Sequence, residues 1–316
     1  MKRGTDSVLE RFLGADEPVA PEYVTARPEI VAALGKVTAE SPSMEARAAS
    51  ARALGVLRAT AASDQLLAAL RTKNTEVLYE VLTAFEKIHN PEVAPQLFYL
   101  LRDPDEKVQL AAIQTVSLLG NKEANAPLRE AWERTKSDKV RRALLEAMAM
   151  LPDEANRPLF EKYLSDADEG MRAGAAEGLG RLGKAEDRSK IETLWEGEKK
   201  MRPRLSQAYA LVALGQREIS ELSPLQYLIN TLNHKAWQGV ARGFLKVLAP
   251  EPAVRFPLHN ALLNGNRTEK LALIDILGAS GGKDSVEPLE TMSKDPDVVV
   301  SSESFRALRT LRMRLQ

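Results

Sequence analysis

The run Gly178-Leu179-Gly180-Arg181-Leu182-Gly183 carries the G-x-G-x-x-G spacing. Set between a strand and a helix, that spacing lets backbone N–H groups cradle a pyrophosphate. Three Asp-x-Asp pairs, at 103/105, 166/168 and 295/297, offer oxygens of the kind that hold Ca²⁺ or Mg²⁺. Histidine chemistry has only His89, His234 and His259 to draw on, too scattered along the chain for a His-based metal site. The sequence has no cysteine, which removes thiol catalysis, disulfides and Cys-ligated zinc. It also lacks a G-x-S-x-G elbow, a Walker A run and an H-E-x-x-H motif. What the glycines and paired aspartates do therefore depends on the elements that carry them.

The 316 residues balance 44 Lys+Arg against 44 Asp+Glu. Binding to a nucleic-acid backbone draws its affinity from basic excess, so this balance argues against DNA or RNA as the main partner. No apolar run reaches the ~18 residues of a membrane span, and MKRGTDSVLERFLGADEP has no secretory apolar region behind its basic start. A cytoplasmic protein is expected, although a signal removed beforehand would leave no trace.

Self-similarity organises the rest. EARAASARALGVLR (45–58), KVQLAAIQTVSLLG (107–120) and GMRAGAAEGLGRLG (170–183) align with six further segments whose first core residues are Val77, Val140, Pro203, Trp237, Glu269 and Val300. With Ala46, Val108 and Met171 added, successive spacings are 31, 31, 32, 31, 32, 34, 32 and 31 residues. Eight past each anchor the residue is always apolar, from Leu54 to Leu308. The place five past it runs from Ala51 to Phe305, with Arg242 the one charge. These positions make one stripe of an α-helix. Three before the anchors stand Ser43, Asn74, Asp105, Ser137, Asp168, Lys200, His234, Asn266 and Asp297, seven of them able to cap a helix N-terminus. A second helical stretch, such as ANAPLREAWERT (124–135), precedes each stripe and often carries Pro in its first turn. The unit is helix A, turn, helix B. In this register Gly178 and Gly180 fall inside a B helix that starts near Asp168, as small residues for close packing, and Gly183 is its left-handed C-cap. The Asp-x-Asp pairs recur in register with the helix starts, which identifies them as caps.

The segments DPDEKV (103–108), SDKVR (137–141), DADEGMR (166–172) and DPDVVV (295–300), each leading into an Ala-rich helix, resemble HEAT repeats of the bacterial, phycobilin-lyase-like kind. The resemblance covers about residues 28–316. It implies an all-α, right-handed α-solenoid of about nine antiparallel helix pairs, with 28–316 one domain and 1–27 an N-terminal extension or cap. Within that extension VLERFL (8–13) is expected as a short helix and 15–28 as an extended linker. The basic residues one past the anchors (Arg47, Arg141, Arg172, Arg204, Lys270) resemble the family's Asp/Arg ladder between repeats; Leu78, Gln109, Gln238 and Ser301 depart from it. The longer unit between Pro203 and Trp237 predicts altered packing there. Arg306, Arg309, Arg312 and Arg314 read as a polar final cap.

Enzymes of this architecture need residues that can be sought. Di-iron hydroxylases use His-Glu pairs, whereas the histidines here precede Asn, Lys and Asn. Trp132 and Trp195, the kind of aromatic a HEAT-like DNA glycosylase needs in its groove, fall in A helices, and no lyase motif can be pointed to. The reading is a non-catalytic scaffold, without cofactor or metal, that presents the B helices on its concave face to a protein partner. The candidate contacts are Tyr79, Gln114, Arg142, Glu146 and Tyr209, a mix that interface centres favour, although the same places could be ordinary solvated or half-buried helix positions. A monomer is expected. The alternatives are a lyase/isomerase-type or DNA-glycosylase-like HEAT enzyme, or a docking subunit of a larger assembly.

Overall fold

The computed structural model describes residues 26–316; the expected helix at 8–13 and the linker up to residue 25 lie outside the described residues. Arg157–Gln316 forms one compact unit and the described residues up to Asn156 another. In the earlier unit the pairs are α1 (Pro28–Glu40) with α2 (Met44–Val56), α3 (Ser63–Ala69) with α4 (Thr75–Ile88), a 3₁₀ segment (Pro91–Arg102) with α5 (Glu106–Leu118), and α6 (Asn125–Arg134) with α7 (Asp138–Met150). In the later unit they are α8 (Arg157–Tyr163) with α9 (Glu169–Leu182), α10 (Arg188–Gly197) with α11 (Met201–Ala213), and α12 (Pro224–Thr231) with α13 (Gln238–Leu248). Two more pairs complete it: α14 (Pro252–Asn264) with α15 (Arg267–Ser280), and α16 (Val286–Met292) with α17 (Val298–Leu315). The described fold is all-α and every expected B helix is present. Pro91–Arg102 is 3₁₀ throughout and carries Pro95 inside it, where an α-helix would lose an N–H bond; α14 carries Pro257 as deep and stays α-helical.

Helix starts follow the sequence closely. Ser43, Asn74, Asp105, Ser137, Asp168, Asn266 and Asp297 all accept backbone N–H bonds from the first turn that follows them. A second polar residue two places earlier holds the loop itself. The N–H groups of Asn74, Asp105, Asp168 and Asp297 donate to Thr72, Asp103, Asp166 and Asp295 at 3.1, 2.9, 2.8 and 2.9 Å. Both members of each Asp-x-Asp pair are thus occupied by backbone. Lys200 before α11 makes no cap bond, and α13 departs further: the chain runs past His234 in a turn and the helix begins only at Gln238, with Trp237 at the N-cap. Trp237 is half-buried and Val240 takes the first fully buried place, which corrects the reading of Trp237 as a core anchor. The extra residues of this unit form a non-helical stretch at 216–223.

The core is the row eight past each anchor. Leu54, Phe85, Val116, Met148, Leu179, Leu211, Leu245 and Leu277 are fully buried, and Leu308 nearly so. Each such side chain contributes about 1.5–3 kcal/mol of burial. The row five past the anchor is equally dry except at Arg242, which is half-buried, and Phe305, whose expected core place is an exposed one.

Consecutive B helices meet through small residues. A Cβ placed on Gly55 would lie 2.8 Å from the Ala84 Cα, one on Gly180 2.6 Å from the Ala210 Cα, and one on Gly278 2.7 Å from the Ala307 Cβ. A Cβ on Gly178 would meet the Phe160 ring at 2.6 Å, and Gly183 has φ 72° with its N–H on the Leu179 carbonyl. The G-x-G-x-x-G run is a packing face followed by a helix stop. Gly180→Ala should therefore lower stability by about 1–3 kcal/mol through overpacking. Gly197→Ala, where a Cβ meets nothing within 4 Å, should be neutral or stabilising. Urea unfolding of the two variants checks this.

Candidate partner-binding face

In the earlier unit, side chains bridge each B helix to the next. Arg52 on α2 donates to Glu80 on α4 at 3.0 Å. Glu76 on α4 pairs with Lys107 of α5 at 3.3 Å, and Lys107 also sits 4.3 Å above the Tyr79 ring. Further along, Glu86 accepts from Gln114 at 3.1 Å and from Thr115 at 2.9 Å. Glu106 accepts from Ser137 at 2.9 Å and Lys139 at 3.2 Å, and those bonds, the hydroxyl first, hold its carboxyl below the usual range. Each bridge between exposed groups is weak alone. Together they link successive B helices of this unit in one series.

The predicted contact residues take different places on it. Tyr79 and Arg142 are half-buried at the surface, while Gln114 and Glu146 are 5% and 6% exposed. Tyr209, in the later unit, is 2% exposed, stacked on Phe244 at 4.6 Å and covered by the Arg181 guanidinium at 5.4 Å. Arg181 in turn bonds Glu177 at 2.7 Å. The row is more covered than its polarity suggested, because long side chains such as Arg181 and Glu86 lie across it. Tyr79, Gln114, Arg142 and Glu146 share the B-helix surface of one unit; Tyr209 belongs to the other.

The basic residues one past the anchors reach mainly the loops rather than the capping aspartates. Arg172 bonds Glu198 at 2.8 Å and Lys270 bonds Asp295 at 2.7 Å, both acids lying just before the next B helix. Arg204 lies 5.0 Å from the Trp195 ring and 5.2 Å from Tyr227, and Arg141 is 5.9 Å from Trp132. Both tryptophans thus serve as A-helix platforms for arginines of the following B helix, a role their spacing of nine residues to Arg141 and Arg204 could have signalled.

Groups able to do chemistry stay apart. His259 is buried on Ser285 at 2.9 Å, and burial lowers its basicity. Among the described residues no three His, Asp or Glu side chains are grouped to hold a metal ion, and no helix is long and apolar enough to cross a membrane. A cavity of about 470 Å³ lies in the later unit, lined by Ile219, Ile229, Phe256 and the amides of Gln226 and Asn260.

Residues 63–149 and 133–211 match the family of HEAT repeats. Among solved structures the chain is similar to one in the complex of CpcE and CpcF of phycocyanin lyase from Nostoc sp. PCC7120. The two are 20% identical with a TM-score of 0.51, over 94% of this chain and 99% of that one. Weaker likenesses are to human deoxyhypusine hydroxylase in complex with glycerol and to importin beta. The first has 17% identity and a TM-score of 0.36 over 90% of this chain and 96% of that one; the second 14% and 0.41 over 89% and 47%. The likeness at 0.51 is one of fold. No curated protein matches the chain.

Burial, above all, pushes the Tyr209 phenol up to about 12. A phenol raised in this way stabilises the fold fully below pH ~10 and loses that contribution as pH climbs towards 12. Difference titration at 295 nm between the protein and Tyr209→Phe should show a missing step centred near 12. A missing step at about 10 would mean that the ring is open to solvent.

Proposed function

Because the chain is a HEAT-repeat protein, we propose that it is a non-catalytic protein-interaction scaffold whose B-helix face receives a protein partner. The observation that supports this reading is the set of side-chain bridges between B helices from Arg52 to Lys139, on the surface where Tyr79, beneath Lys107, and Arg142 stand half-buried. Surfaces whose rotamers are fixed beforehand bind with less ordering cost. Tyr and Arg are the side chains that carry most interface energy, with Gln114 and Glu146 as the polar, mostly covered ground between them. Tyr209 takes the matching row in the later unit. The balanced net charge favours protein over nucleic acid as the ligand.

Pull-down with the purified full chain as bait, followed by affinity measurement with the recovered partner, tests the reading. Tyr79→Ala and Arg142→Glu should each weaken binding about tenfold or more, with far-ultraviolet circular dichroism unchanged. Partners that bind both variants as tightly as the parent would contradict the assigned face. A second reading is a docking subunit of a larger assembly, favoured by the likeness to a chain of the CpcE–CpcF complex. Spectral change and turnover on adding a tetrapyrrole pigment would replace the scaffold by a lyase-type enzymatic role.

A further inference from the structure

The A helices of the later unit differ in the charge they show to solvent. α8 exposes Glu161 and Lys162, α10 exposes Lys190 and Glu196, and α16 exposes Glu287 and Glu290. Between α10 and α16 the pattern stops. α12 exposes only Asn230, and α14 exposes Pro252, Ala253, Phe256, Asn260, Leu263 and Asn264. The only Asp, Glu, Lys or Arg on these two helices is Arg255, which is buried and pairs with Asp284 at 2.8 Å. Phe256 is 61% exposed, and Ile219, from the non-helical stretch before α12, is 46% exposed. Interface centres are depleted of charge and enriched in aromatic side chains in this way.

The cavity of about 470 Å³ lies against both helices, and its walls offer three chemistries. Ile219, Ile229 and Phe256 form an apolar recess. Gln226, Asn260 and Asn264 supply amides. Gln226 donates to Asn230 at 2.8 Å, and Asn264 donates to the Asn260 backbone carbonyl at 2.9 Å. The Gln226 and Asn264 side-chain oxygens and the whole Asn260 side-chain amide have no partner among the described residues. Asn260 and Asn264 stand one helical turn apart, about 6 Å, and same-facing groups of an extended chain repeat at about 6.6 Å. An amide both donates and accepts, as a peptide main chain does. The third chemistry is that of Glu269, the one charged residue of the wall. It accepts from Asn233 at 2.6 Å and from the Asn266 N–H at 3.1 Å, and no cation among the described residues pairs with it.

We propose that this cavity binds an extended segment of a partner protein in which an apolar side chain stands close to a Lys or Arg. The apolar side chain fills the recess against Phe256, the main chain of the segment bonds the Asn260 and Asn264 amides, and the cation pairs with Glu269. A purely apolar ligand would leave the amides and the carboxylate unanswered, and an acidic segment would bring like charge to Glu269. The site lies wholly in the later unit, on its A helices, and does not depend on the B-helix face proposed above.

The test offers the full chain a phage-displayed library of random peptides and measures the most enriched one, synthesised with capped ends, by fluorescence anisotropy. Enriched sequences should share an apolar residue within a few places of Lys or Arg, and binding should weaken about tenfold on Phe256→Ser. Replacing that Lys or Arg by an uncharged isostere (norleucine or citrulline) should weaken binding to the parent several-fold. The same replacement should cost nothing further against Glu269→Gln, as a coupled pair requires. Phe256 is exposed, and a glutamine at 269 keeps the capping bond to the Asn266 N–H, so both variants should retain the parent's circular dichroism. Enrichment of no sequence, or of sequences that bind Phe256→Ser as tightly as the parent, overturns the proposal. So does a basic residue whose replacement costs the same with and without the Glu269 carboxylate. A concentration-dependent dimer of the full chain that Phe256→Ser abolishes would also overturn it, in favour of a second copy.

Discussion

The structure depends on one constraint: a single helix pair cannot bury its own apolar stripe, so each B helix must come close enough to its neighbour to share one. Small residues permit that approach. At Gly180 and Ala210 the backbones are near enough that a single added methyl has no room. The Leu179 side chain, one residue back, is then fully buried. The same choice recurs at Gly55 with Ala84 and Gly278 with Ala307. A repeat fold stabilised by nearest neighbours in this way is a series of similar local interfaces rather than one large core.

Close approach has an electrostatic consequence. Once B-helix backbones are fixed at short distance, side chains too long for the seam lie across the surface and meet partners on the next helix. Arg52 with Glu80, Lys107 with Glu76 and Lys139 with Glu106 are all of this kind. The polar face is therefore a by-product of packing as well as a candidate for recognition. Pairing across the helices reduces the side-chain freedom that binding would otherwise have to remove.

Much of this was legible in the sequence because it repeats. Helix starts could be placed from the residues three before each anchor, and seven of nine do cap. The glycine run lost its nucleotide-binding look once its register put Gly183 at a helix end. Less legible was anything decided by which side chain lies over which. Tyr209 reads as a surface residue from its row, yet Phe244 and Arg181, from neighbouring B helices, close over it. Phe305 reads as core from its row, yet it is exposed on α17. Trp237 fits the spacing but stands at the N-cap of a helix that starts late, at Gln238. Periodicity fixes register; coverage depends on neighbours and on helix length.

The central claim is that recognition falls on the B helices and leaves the repeat interfaces unchanged. Hydrogen–deuterium exchange of the full chain, with and without a bound partner, tests it most directly. The account predicts slowed exchange on binding in α4, α5 and α7, with the A segments α3, Pro91–Arg102 and α6 unchanged. Protection confined to those A segments, with the B helices unaffected, would contradict it.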